Sequence, residues 1–161
     1  AALDHYALES VRVHVVSSAG GPARVVTPAG GDYPVWSPDG RLIAYTIWND
    51  DSDPDQGAWI VSPEGGTPLR VGDRPTRLAW TPDGSALWQL RRADDRLELW
   101  QADRDSWGWY RRSVLDLGRS PATKMEYLPF TVDARTGRLI MNRSSLAASL
   151  VVFEGLDPSR W

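Results

Sequence analysis

Tyr33-Pro-Val-Trp-Ser-Pro-Asp-Gly-Arg-Leu-Ile-Ala-Tyr45 decides the reading, because it returns as Arg77-Leu-Ala-Trp-Thr-Pro-Asp-Gly-Ser-Ala-Leu-Trp-Gln89, with Trp36 and Trp80 offset by 44 residues. Its centre is a turn with a physical mechanism. Pro38 and Pro82 fix φ at the first turn position, Asp39 and Asp83 hydrogen-bond to nearby backbone, and Gly40 and Gly84 accept positive φ. Each unit is predicted to be a tight hairpin joining two strands. Ile43, Tyr45, Leu87 and Gln89 then alternate across the sheet faces with Leu42, Ala44, Ala86 and Trp88.

Outward from these hairpins the pattern weakens but persists. Phe130-Thr-Val-Asp-Ala-Arg-Thr-Gly-Arg-Leu-Ile-Met-Asn142 is a third copy, aligned by Gly137-Arg-Leu-Ile140 on Gly40-Arg-Leu-Ile43, with the Trp-Ser-Pro core eroded. Its extra spacing from Gly84 is expected in the connection Gly118–Glu126. A second echo, of Ser-x-x-Gly-Gly type, sets Ser18-Ala-Gly-Gly-Pro22 against Ser62-Pro-Glu-Gly-Gly66, 44 apart by the serines. Short runs of β-branched and aromatic residues lie between, at Val11–Val16, Ala23–Val26, Arg41–Ile47, Ala58–Val61, Leu87–Leu90, Arg96–Gln101, Trp109–Leu115, Leu139–Asn142 and Leu150–Phe153. Leu3–Glu9 has some helical pattern, but by register it falls where a second strand belongs.

A repeat of 44 residues suits a four-stranded propeller blade, for which about 40–45 is usual. The expected fold is all-β: blades of four antiparallel strands in a single domain, with blade-like units over about 3–28, 31–72, 75–117 and 125–156. Propellers close with about 4–8 blades, so four blades predict a partial, half propeller whose exposed blade faces seek a partner or a second copy.

Pro34-Val-Trp-Ser-Pro-Asp-Gly-Arg-Leu-Ile-Ala-Tyr45 and Leu78-Ala-Trp-Thr-Pro-Asp-Gly84 resemble the TolB-like (WD40-like, PD40) β-propeller repeat, a bacterial repeat family. Ala58-Trp-Ile-Val-Ser-Pro-Glu-Gly-Gly-Thr-Pro-Leu-Arg70 looks like the third and fourth strands of the same blade. The resemblance implies a non-catalytic protein-interaction or scaffolding propeller, in a periplasmic or extracytoplasmic setting. It equally accommodates an accessory, substrate-gating propeller of a prolyl-oligopeptidase-like or tricorn-like peptidase.

Composition narrows the partners. The 161 residues are 42% hydrophobic and 24% charged, enough apolar material for a core. A net charge of −3 removes the concentrated basic surface that nucleic acid or anionic lipid requires. No window approaches the eighteen apolar residues of a membrane helix, so no membrane insertion is expected. With no cysteine there is no thiol nucleophile, disulfide or thiolate metal site, and composition leaves the compartment open. The start at Ala1 fits processing or excision, and the tail Phe153–Trp161 reads as a C-terminus after a last strand.

Candidate site residues fall in two groups. Asn49-Asp-Asp-Ser-Asp-Pro-Asp-Gln-Gly57 sets Asp51, Asp53 and Asp55 at alternate positions, a pattern that can converge on Ca²⁺. Gly57 comes one residue late and the closing bidentate Glu is missing, so a solvated hairpin loop is the preferred reading and calcium the alternative. No other cofactor is expected. The second group is aromatic. Trp36, Trp80, Trp88 and Trp100 are expected to pack between blades, while Trp107, Trp109 and Tyr110 near a Gly-containing hairpin are the candidate contact patch for peptide or carbohydrate. His5 and His14 lie in the N-terminal strands, Asp94-Asp95 reads as a turn, and no Ser elbow, zinc-type His pair or phosphate loop is present. No catalytic constellation is assigned.

Overall fold

The computed structural model describes residues 11–27, 30–48, 53–93, 96–115, 129–133, 135–143 and 149–153. Every regular element among them is a strand, and the chain divides into two compact units, Ala1–Pro75 and Thr76–Trp161. Leu3–Glu9, His5, Asp94-Asp95, the connection Gly118–Glu126 and the tail after Phe153 lie outside the described residues.

In the first unit β1 (His14–Val15) pairs antiparallel with β2 (Arg24–Val25). The strands β3 (Gly31–Trp36), β4 (Ile43–Ile47), β5 (Gly57–Val61) and β6 (Leu69–Gly72) then form a four-stranded antiparallel meander in chain order. β4 is buried at all five positions, so both faces of this strand are covered and the apolar run Ile-Ala-Tyr-Thr-Ile carries no polar face. From one face Ile43, Tyr45 and Ile47 pack with Val13, Val26 and Val61, which ties β1–β2 to the meander. Arg24 adds hydrogen bonds to the Pro63 and Glu64 carbonyls and an ion pair with Glu64 at 3.2 Å; its partner is so exposed that the pair contributes little.

The second unit repeats the meander as β7 (Leu78–Trp80), β8 (Ala86–Ala93), β9 (Arg96–Asp103) and β10 (Trp109–Leu115), beside a three-stranded sheet of β11 (Phe130–Val132), β12 (Leu139–Arg143) and β13 (Ser149–Phe153). Cross-strand register sets Trp88 and Leu90 opposite Gln101 and Leu99, hence on one face. That face meets the next sheet: Trp88, Leu90, Leu97, Leu99 and Leu115 enclose Leu139 and Met141, with Phe130 and Val132 at the margin. Each such side chain removed from water contributes about 1.5–3 kcal/mol before entropy is counted.

The turns obey the mechanism expected of them. Gly40 N–H donates to Ser37 O at 2.9 Å and Gly84 N–H to Thr81 O at 2.9 Å, with φ of 68° and 72° at the two glycines. Asp39 Oδ1 accepts from the Ser37 hydroxyl and Arg41 N–H, as Asp83 Oδ1 does from Thr81 and Ser85.

Two alignments drawn from sequence need correction by one residue. Trp36 pairs with Ile43, Trp80 with Leu87 and Val132 with Leu139, so Leu139 is the structural counterpart of Ile43 and not of Leu42. The third turn is built differently: Gly137 N–H reaches back to Asp133 O at 2.8 Å, one residue further than in the other two. Asp133 stands where Ser37 and Thr81 stand, and its carboxylate takes Arg135 N–H and the Thr136 hydroxyl. Likewise it is Ser17, not Ser18, that matches Ser62, because Gly20 and Gly65 donate to Ser17 O and Ser62 O at 2.9 and 2.8 Å. A one-residue slip exchanges the faces of every side chain that follows, so backbone bonding and not sequence similarity fixes such matches.

Trp36 also departs from expectation. It was expected to pack between blades with Trp80, yet Trp36 is 51% exposed and Trp80 only 6%. The reason lies across each sheet. Ile43 opposite Val61 and Leu87 opposite Ala102 make Gly66 the counterpart of Trp107. Trp107 sets its ring edge-on to Trp80 at 6.2 Å, and Arg104 lies 5.7 Å from the same ring, whereas Gly66 has no side chain to offer Trp36.

Candidate functional site

Three turns of the second unit border one cleft. The Thr81–Ser85 turn joins β7 to β8, the Asp103–Gly108 turn joins β9 to β10, and the Asp133–Gly137 turn joins β11 to β12. The cavity has a volume of about 500 Å³, within the range of small-ligand clefts.

Its floor comes from the face that builds the core. Trp88, Gln101 and Tyr110 are cross-strand neighbours on β8, β9 and β10 and share this face. They form a hydrogen-bonded line: Trp88 Nε1–H donates to Gln101 Oε1 at 2.9 Å, Gln101 Nε2 donates to Asp103 Oδ1 at 2.7 Å, and the Tyr110 hydroxyl donates to the same Oδ1 at 3.2 Å. Trp88 is wholly buried and Tyr110 is 41% exposed, so the line runs from the core to the cleft surface. A register shift between Arg111 and Ser113 sits at Arg112, which lines the cleft. Arg135 and Gly137 line the cleft from the turn between β11 and β12, and Thr81, Pro82, Asp83 and Ser85 from the turn between β7 and β8.

Electrostatics follow from the turns. Asp83 accepts the Ser85 N–H, the Thr81 hydroxyl and the Ser85 hydroxyl, which hold its carboxyl below the ordinary range and keep it ionised. The Thr136 hydroxyl and Arg135 N–H lower Asp133 in the same way. The lining thus carries two carboxylates, Asp83 and Asp103, already bonded to neighbouring groups, and two guanidiniums, Arg112 and Arg135.

The aromatic patch expected from sequence is divided by this geometry. Trp107 stands against Trp80, held by its N–H to Asp103 O at 2.8 Å and by an unusual φ of 53°. Trp109 lies on the other face of β10 from Tyr110, and the Arg91 guanidinium sits 5.1 Å from its ring and 4.3 Å from Trp100. Glu98 completes that face, accepting Trp100 Nε1–H and Arg111 at 2.8 Å each. Arg111 beside it, then Trp100, hold the Glu98 carboxyl below its ordinary range. Only Tyr110 of the three reaches the cleft.

In the acidic loop Asp53 Oδ1 accepts Asp55 N–H at 2.7 Å and Asp55 O accepts Trp59 Nε1–H at 2.8 Å, the bonding of a hairpin turn. Asp51 lies outside the described residues. Among the described residues no three His, Asp or Glu side chains converge as a metal-binding group.

Sequence reasoning did not assign Gln101, Arg112 or Arg135 to a site. Arg135 lies inside the third repeat, but nothing in the chain order signals that its turn borders the same cleft as Tyr110.

No protein-family model matches the sequence, and none of the curated proteins does. Solved structures do match. TolB from Acinetobacter baumannii is 14% identical with a TM-score of 0.63, over 88% of this chain and 34% of that one. An oligogalacturonate lyase in complex with manganese is 17% identical with a TM-score of 0.60, over 83% and 36%. The β-propeller domain of the Trilobed protease from Pyrococcus furiosus is 14% identical with a TM-score of 0.53, over 89% and 46%. The chain therefore spans between a third and a half of the length of these structures. At such identities the likeness concerns the fold alone. The chain has the fold of the TolB-like β-propellers, all-β among the described residues, with two four-stranded antiparallel sheets and two smaller antiparallel sheets of three and two strands.

Proposed function

We propose that this chain works as a non-catalytic interaction or scaffolding propeller, with the turn-lined cleft of the Thr76–Trp161 unit as its contact site. One observation carries the reading: the hydroxyls and carboxylates of the cleft are bonded to one another. Thr81 and Ser85 donate to Asp83, whose carboxyl is held below its ordinary range and is a correspondingly weak base, Tyr110 and Gln101 donate to Asp103, and no histidine is among the described lining residues. A cleft of fixed polar groups beside exposed guanidinium and phenol is suited to recognising a ligand's polar groups. The likeness to TolB supports the reading at the level of fold.

The likeness to the Trilobed protease propeller supports a second reading, in which the same binding chemistry screens substrate for a peptidase domain elsewhere. Immobilised chain exposed to a random decapeptide library tests the first. Retained peptides are expected to be recovered with unchanged mass, and shorter products in their place would reverse it.

A further inference from the structure

The cleft carries a charge arrangement that selects its ligand. Arg135 is exposed on the turn between β11 and β12, and that turn is fixed by Arg135 N–H and not by its guanidinium. Arg112 lines the cleft from the bulge of β10, so guanidiniums from two different sheets border one cavity. Guanidinium offers a planar fork of donors that matches a carboxylate better than any other group. Asp83 and Asp103 border the same cavity, already bonded by hydroxyl and amide donors but with acceptor capacity left on each carboxylate. A ligand that satisfies both sets has one carboxylate flanked by N–H donors.

We propose that the cleft binds a single Glu or Asp side chain within an extended peptide segment of a partner protein, its carboxylate on Arg135 and Arg112 and its flanking backbone N–H groups toward Asp83 and Asp103. The proposal rests on the interaction-module reading and gives that module its partner chemistry. An acidic polysaccharide fits less well. It brings a negative charge with every sugar toward two ionised carboxylates, and of the cleft aromatics Trp88 is wholly buried while Tyr110 is tied through its hydroxyl to Asp103.

The test is fluorescence anisotropy on the full chain with a labelled Gly/Ser nonapeptide carrying one central Glu, and with its Gln counterpart. The Glu peptide is expected to bind at least about tenfold tighter. The preference should vanish in Arg135→Ala, whose turn keeps the backbone bond to Asp133, and circular dichroism would verify that the variant is folded. Equal binding of the two peptides, no binding of either, or a preference surviving Arg135→Ala would each overturn the assignment. So would tetragalacturonate or free N-acetylglutamate binding more tightly than the Glu peptide. Library peptides retained intact but without acidic enrichment would end this inference and leave the interaction module standing; cleaved peptides would end the module itself.

Discussion

Tyr45 gives the sharpest test of the packing argument. Its side chain is fully buried in β4, among Ile43, Ile47, Val13 and Val26, and its hydroxyl has no hydrogen-bond partner among the described residues. A buried hydroxyl without a partner carries its full desolvation cost, about 1–3 kcal/mol, and removing it sacrifices no bond. Tyr45→Phe is therefore expected to be neutral to about 1 kcal/mol more stable near pH 7, since the small void left by the oxygen offsets part of the gain. Burial, and then Asp55, raise the Tyr45 pKa well above its usual value of 10.0. The folded chain keeps this proton where the unfolded chain releases it, so wild-type stability falls as pH rises above about 10, by about 1.4 kcal/mol per pH unit until the folded-state value is reached. The Phe variant lacks that slope. Urea unfolding followed by tryptophan fluorescence at pH 7, 10 and 11 measures both effects as a difference between the two proteins. A Phe variant less stable by about 1 kcal/mol at pH 7, or as steeply weakened by alkali as wild type, would show that the hydroxyl is bonded and refute the reasoning.

Glycines in different turns should respond differently. Gly40→Ala keeps open space around its new methyl group and is expected to cost about 1–2 kcal/mol for a positive φ alone, whereas a Cβ at Gly57 would stand 2.2 Å from the Gly72 carbonyl and must part β5 from β6. Equal urea midpoints for the two variants would contradict this. For Glu98, whose carboxyl is lowered by Arg111 and Trp100, the ionised form stabilises the fold above the ordinary carboxylate range, and the contribution is lost as pH falls through the folded-state value. Glu98→Gln should flatten the decline of stability in acid, read as urea midpoints from pH 3 to 7; an unchanged slope would show that the carboxylate contributes nothing. Trp107→Gly relieves a bulky residue at φ of 53° but uncovers Trp80. Lost ring packing should outweigh about 1 kcal/mol of backbone relief, with a net destabilisation and a red-shifted emission as Trp80 gains solvent. A more stable variant would mean that the ring contact is worth less than the strain.

Much of the architecture was legible because its determinants are local. Ser-Pro-Asp-Gly and Thr-Pro-Asp-Gly each encode a hairpin within a few residues, and their recurrence announces blades before any long-range contact is considered. The third repeat shows where this stops. Asp133 replaces the serine, the glycine moves along by one, and only the pairing of Val132 with Leu139 restores the register.

The site was less legible for a related reason. Trp107, Trp109 and Tyr110 are neighbours in sequence, but strand alternation and the adjoining turn send them to Trp80, to Arg91 and to the cleft respectively. Sequence by itself determined the hairpins, the all-β class and the period, since these depend on φ preferences and apolar spacing within a few residues. Tertiary structure alone decided that Arg112 on a bulge and Arg135 on the next sheet's turn border one cavity with Asp83 and Asp103, because packing between sheets, and not chain order, brings distant turns together.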